Sequence, residues 1–131
     1  MKKILLPLVA LAFATPAAAQ SIVVTGAEET DSAPLSVAYE ELQAGQNQLA
    51  VDKLTHSRID AQDPSRLINL GTAYARLGQK AEAQTAYRAA ITSDIRYDVE
   101  LSNGTYMDSR WAARTALANL NQGKPLLALA R

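Results

Sequence analysis

The residues able to do chemistry are few, and their spacing limits what they can do. The 131-residue chain holds one histidine, His56, and no cysteine. No serine stands in a Gly-x-Ser-x-Gly setting, so a nucleophile backed by a general base has almost no raw material. Zinc and calcium sites lack their ligands in the same way: there is neither a His/Cys cluster nor an Asp-x-Asp-x-Asp loop closed by glutamate. Asp94, Asp98, Glu100 and Asp108 crowd together, but Arg96 and Arg110 are interspersed, and the group reads as a solvated charged rim. A small-ligand binder or enzyme working from this acidic, tyrosine-bearing stretch is the alternative it leaves open. His56 reads as a surface or packing residue. No phosphate-cradling glycine loop is present, nor an aromatic and basic interleaving suited to bases. The sequence therefore predicts no enzyme, with no catalytic residue, metal or cofactor.

The elements that carry these residues begin after an export signal. Met1-Lys2-Lys3 is basic, Ile4 to Phe13 is apolar, and Ala17-Ala18-Ala19 supplies small residues before Gln20. This is the pattern of a secretory signal peptide over 1–19, cleaved at Ala19-Gln20, and the apolar run is short for a bilayer span. The expected location is a bacterial periplasm, without membrane insertion once the signal is removed. Removing Lys2 and Lys3 leaves 11 basic against 13 acidic residues, a formal charge of −2, which lacks the basic excess of a nucleic-acid binder. Without cysteine an exported chain has no disulfides, so apolar packing must hold it together.

Residues 20–33 open with Ile22-Val23-Val24-Thr25 and continue through Glu28, Glu29 and Asp31. Too little apolar surface is present for this stretch to fold alone, and it reads as a flexible leader. From residue 34 the pattern turns helical. In 64–91, Leu67, Leu70, Gly71 and Tyr74 share one helix face and Ala83, Tyr87 and Ala90 share another, with Leu77-Gly78-Gln79 between them. An offset of 33 relates Gly45 to Gly78, Ala50 to Ala83 and Leu54 to Tyr87, so 34–95 is expected to hold two related helix pairs. In the first copy Glu41 stands at the Tyr74 position, and its outer face is expected to be wet. Asp63 and Pro64 mark a helix start. Over 96–108, Tyr97, Val99 and Leu101 alternate with polar residues, and Asn103-Gly104 predicts a two-residue hairpin turn. Asp108 or Ser109 can cap a last helix over 109–122, its apolar face supplied by Trp111, Ala113, Ala116, Leu117 and Leu120. Residues 123–131 form an apolar tail.

Leu70-Gly71-x-x-Tyr74, then Gly78, then Ala83-x-x-x-Tyr87-x-x-Ala90 resembles the tetratricopeptide repeat, as found in small exported bacterial members. The resemblance implies an all-α fold of right-handed helical hairpins, here two pairs and a capping helix with a small β-hairpin inserted. It also implies a protein-interaction role as an adaptor or assembly factor of the cell envelope. In that family the first helix of each pair lines a concave groove, which here would receive Leu35, Tyr39, Leu42, Gln43, Ile68, Asn69, Thr72 and Arg76. This mixture suits an extended peptide or a partner helix. Asn69 matches one residue of the family's carboxylate-gripping subset, but Leu35 and Tyr39 replace its lysine and second asparagine, so that specificity is not expected. The hairpin, capping helix or tail could instead fill the groove. A homodimer that completes the short stack across two copies is the alternative architecture. Ile22 to Thr25 also resembles the energy-coupling box of outer-membrane transporters; a loose leader or a strand laid on its own domain is the preferred reading.

Overall fold

The computed structural model of the chain describes Ile22, Val24 and residues 37–124. The predicted signal peptide, Leu35, the remainder of the 20–33 leader and residues 125–131 of the tail lie outside the described residues. The described chain is mostly helical, with a small antiparallel sheet: α1 (Tyr39–Gln43), α2 (Asn47–Thr55), α3 (Pro64–Arg76), α4 (Lys80–Thr92), β1 (Asp98–Glu100), β2 (Tyr106–Asp108) and α5 (Ser109–Asn121). No described helix is long and apolar enough to cross a membrane.

The offset of 33 read from the sequence relates several main-chain bonds of the two turns. Gly45 and Gly78 adopt φ of 72° and 76°, a left-handed conformation that only glycine enters without cost. The amide of Gln46 bonds Glu41 O at 2.8 Å and that of Gln79 bonds Tyr74 O at 2.9 Å, while Gly45 and Gly78 donate to Leu42 O and Ala75 O. These are the paired bonds of a Schellman helix end, which satisfy carbonyls the helix leaves open. Both turns then start the next helix in the same way, with Ala50 donating to Gln46 O and Ala83 to Gln79 O. α1 is shorter than expected: the helix starts at Tyr39, because Ala38 takes φ 56° and breaks the right-handed path.

Two apolar clusters hold the layers together. Val37, Ala38, Leu42, Ala50, Val51 and Leu54 pack against Ala73 of α3, binding α1 and α2 to it. The larger cluster joins Leu67 and Ile68 of α3, Ala83, Tyr87 and Ala90 of α4, Val99 and Leu101 of the hairpin, and Ala112, Ala113 and Ala116 of α5. Alanines at facing positions of α4 and α5 let the backbones approach closely. At the edge of this contact Gln84 donates to Asn121 Oδ1 at 2.6 Å.

Three expectations are corrected here. Glu41 is buried rather than wet, because Lys53 reaches back from α2 to bond its carboxylate and hold its pKa below the usual value. Trp111 is 59% exposed; the buried face of α5 is instead Ser109, Ala112, Ala113 and Ala116, one position round the helix. The hairpin forms, with Val99 opposite Met107, but its loop has three residues. Gly104 N bonds Leu101 O and Leu101 N bonds Thr105 O, both at 2.8 Å, and of the loop only Gly104 (φ 80°) has positive φ. That is a tight turn followed by a glycine bulge, in which Gly104 alone takes the left-handed position and Asn103 does not, as a two-residue Asn-Gly turn would require of both.

Two aspartates start α3 and α5. Asp63 Oδ1 accepts from Arg66 N at 3.0 Å with Pro64 in the first turn of α3, and Asp108 Oδ1 accepts from Trp111 N at 3.1 Å at the start of α5. Asp63 Oδ2 accepts the Tyr97 proton at 2.8 Å, and the Tyr97 hydroxyl also lies 2.8 Å from Ser65 Oγ. Burial pushes the Tyr97 phenol up to about 12, and the Asp63 carboxylate adds to the shift. Because the folded pKa lies above the unfolded value of about 10, this contribution is fully present below pH 10 and is lost as pH rises towards 12. Tyr97→Phe should therefore cost about 1 kcal/mol at neutral pH and flatten the fall in stability over that alkaline window, measured by urea unfolding. A fall as steep as in the parent protein would place the titration elsewhere.

Candidate functional site: the polar face of α3

Asn69, Thr72 and Arg76 are spaced so that they share one face of α3. Leu67, Leu70 and Tyr74 lie on roughly the opposite face, where with Ala81, Thr85 and Ala89 of α4 they border an apolar groove of about 480 Å³. The polar face is the one with a built arrangement of hydrogen bonds, and what it holds is the chain's own N-terminal segment.

Asn69 is fully buried and uses its whole side-chain amide. Its Oδ1 accepts from Val24 N at 2.7 Å, and its Nδ2 donates to Val24 O at 2.6 Å and to Val37 O at 2.8 Å. The amide thus stands in for a neighbouring β-strand, offering an acceptor and a donor side by side to one residue of main chain. Val24 forms an antiparallel bridge with Leu101 just beyond β1. Val24 thus lies beside the hairpin through this single bridge, and Asn69 pairs its N–H and carbonyl, which would otherwise be left unpaired in a buried place.

One turn along the helix, Thr72 donates to Ile22 O at 2.5 Å. The Thr72 hydroxyl has one proton, so the 3.1 Å contact with Tyr87 is made by the tyrosine proton donating to Thr72 Oγ1. Tyr87 is fully buried, and desolvation raises its pKa. Its ring reaches Thr72 because Gly71 offers no Cβ: a methyl group there would sit 2.6 Å from Tyr87 Cε1. At the end of the row the Arg76 guanidinium donates to Leu42 O at 2.6 Å, and its burial lowers its pKa. Side chains 22 and 24 point the same way, as the two-residue period of a strand requires, and are 1% and 0% exposed.

Of the residues expected to line a groove, Ile68, Asn69 and Thr72 come together beneath Ile22 and Val24, and Arg76 flanks them. Leu42 is instead buried between α1 and α2, Tyr39 is half-buried at the edge of that cluster, and Gln43 is exposed. Leu35 lies outside the described residues. Among the described residues, what fills this face is Ile22 and Val24 of the leader; residues 125–131 of the tail, one of the fillers named, lie outside the described residues. Of the two readings the sequence left for Ile22 and Val24, a loose leader or a segment laid on its own domain, the structure supports the second. The β-branched pair at alternating positions was the signal for it. The spacing that puts Tyr87 on one helix face with Ala83 and Ala90 carries no signal for its hydroxyl, which bonds Thr72.

In the acidic group near the hairpin, Asp94 and Asp98 are exposed and Asp108 is paired locally. Asp108 Oδ2 accepts from Arg96 Nε at 2.6 Å, which with the cap bond holds its carboxyl below the ordinary range, and Arg110 Nη2 donates to Ser93 O. His56 is exposed, with Nδ1 2.8 Å from Asp52 O. The chemistry this geometry offers is recognition of extended main chain by neutral groups. Comparison with family models, with curated proteins and with solved structures finds no match to this chain.

Proposed function

We propose that the protein is a tetratricopeptide-like interaction module, exported to the bacterial periplasm, that works by holding an extended segment of polypeptide against the polar face of α3. The observation that carries the reading is the three-bond grip of Asn69 on Val24 and Val37, an arrangement that recognises main chain irrespective of side chain. The family reading draws on the Leu70-Gly71-x-x-Tyr74 spacing and on the two units offset by 33, whose turns share several main-chain bonds. The module contributes binding rather than catalysis, and its partner is a protein of the cell envelope.

A photo-crosslinking residue placed at exposed Gln43, at the end of α1 near Arg76, tests this in intact cells beside the same residue placed at exposed Arg88 on α4. One protein adduct, formed from position 43 and not from 88, is expected. Adducts at both positions or neither would sink the reading, and an adduct only with another copy of the chain would replace it by self-assembly.

A further inference from the structure

The geometry points to the ligand class of this site: an extended segment with β-branched residues two positions apart, for which residues 22–24 are a competitor within the same chain. The inference rests on the interaction reading above and adds both specificity and regulation to it.

The specificity follows from what each contact reads. The main-chain bonds need a carbonyl at the first position and both an N–H and a carbonyl at the third, so proline is excluded from the third position. Side-chain choice comes from the two inward positions, held by Ile22 and Val24 against Ile68, Tyr87, Val99 and Leu101. These walls are fully buried and close-packed, so they favour a compact branched side chain and reject a charged one. The middle residue, Val23 in this chain, takes no part in the argument.

The regulation follows from connectivity. Val24 is joined to Val37 by the twelve residues 25–36, and one nitrogen of Asn69 bonds the carbonyls at both ends of that connection. Covalent attachment makes binding of the cis segment intramolecular, so a loose peptide of equal fit is at a disadvantage against it. A partner segment gains the site by adding contacts beyond these three residues, and any change that weakens the cis segment raises the partner's apparent affinity. Vacating the face without replacement would expose the larger apolar cluster, which makes exchange of one strand for another the available route.

The probe is a labelled synthetic peptide, Ser-Ile-Val-Val-Thr-Gly, the sequence of residues 21–26. It is titrated against the full mature chain and against the same chain carrying Ile22→Ala and Val24→Ala. Binding to the variant is expected to be at least about tenfold tighter than to the parent. A control peptide with proline in place of its second β-branched contact residue should bind neither. Equal affinity for parent and variant would overturn the cis competition, and indifference to the proline would overturn the ligand class. Should the variant not fold, hydrogen exchange on the parent chain decides: saturating peptide should remove protection from residues 22–24 while α3 stays protected, and unchanged protection overturns the inference. A Gln43 adduct that forms in cells but resists competition by this peptide would leave the interaction reading standing and remove only this assignment.

Discussion

Replacing Asn69 by alanine should destabilise the protein by about 4 kcal/mol, a large share of the roughly 5–15 kcal/mol that holds an ordinary domain together. Three main-chain groups lose their partner at once: the N–H and carbonyl of Val24 and the carbonyl of Val37. All three bonds are made in a place shut off from water, and each orphaned group costs about 1–3 kcal/mol, some of it recovered by relaxation of the segment. Urea unfolding gives the number, and a loss below about 1 kcal/mol would mean that the segment is not held by this side chain. Asn69→Asp makes the sharper version. The carboxylate keeps the acceptor for Val24 N–H but turns two donors into an oxygen facing two carbonyls. Burial of the charge beside two carbonyls, with only the Val24 N–H to offset it, raises the folded pKa of that aspartate above its unfolded value of about 4. The protonated form is therefore the one the fold tolerates, and the variant's deficit relative to the parent should shrink as pH falls from 7 towards 4. The parent's own lowered carboxylates, Glu41 and Asp108, lose stability in the same direction, which is why the difference between the two proteins is the quantity to follow.

That Asn69 is central could be placed from sequence only by resemblance, and the reason is physical. Local chemistry was legible: the glycines at 45 and 78 that end helices, Asp63 with Pro64 and Asp108 that start them, and the alternation of Val99 and Leu101 in the hairpin. Each depends on neighbours within about four residues, where periodicity and cap chemistry act. The misplaced features depend on distant partners. Glu41 is buried because Lys53 is within reach across the α1–α2 turn, and the rotation of α5 that leaves Trp111 outside follows from close packing of alanines on α4. Segment 22–24 is joined to its partners across 45 and 50 residues of sequence, and a short β-branched run fits a free leader or a buried strand equally well until those partners are in place.

Gly71→Ala should cost about 2–3 kcal/mol, although alanine is the better helix former by nearly 1 kcal/mol. Gly71 lies inside α3 with ordinary helical φ, so no backbone requirement keeps it glycine. The requirement is space: an added Cβ would lie 2.6 Å from Tyr87 Cε1 and 2.7 Å from Cδ1, closer than carbon atoms approach. The ring cannot swing away cheaply, since it is fully buried and its hydroxyl is bonded to Thr72. Either α4 moves off α3 or the ring tilts, and both break the line from Tyr87 through Thr72 to the Ile22 carbonyl. The damage should therefore spread beyond α4: the Val24 amide, held by Asn69 just two residues before Gly71, should lose hydrogen-exchange protection in Gly71→Ala more than the α2 amides do. Tyr87→Leu frees the contested space while leaving the Thr72 bond to Ile22 in place. In the double variant the two costs should fall short of their sum by 1 kcal/mol or more, as expected for side chains that share one volume. Additive costs would show that the glycine is needed for something other than the ring, and the polar face of α3 would then not depend on how α4 packs behind it.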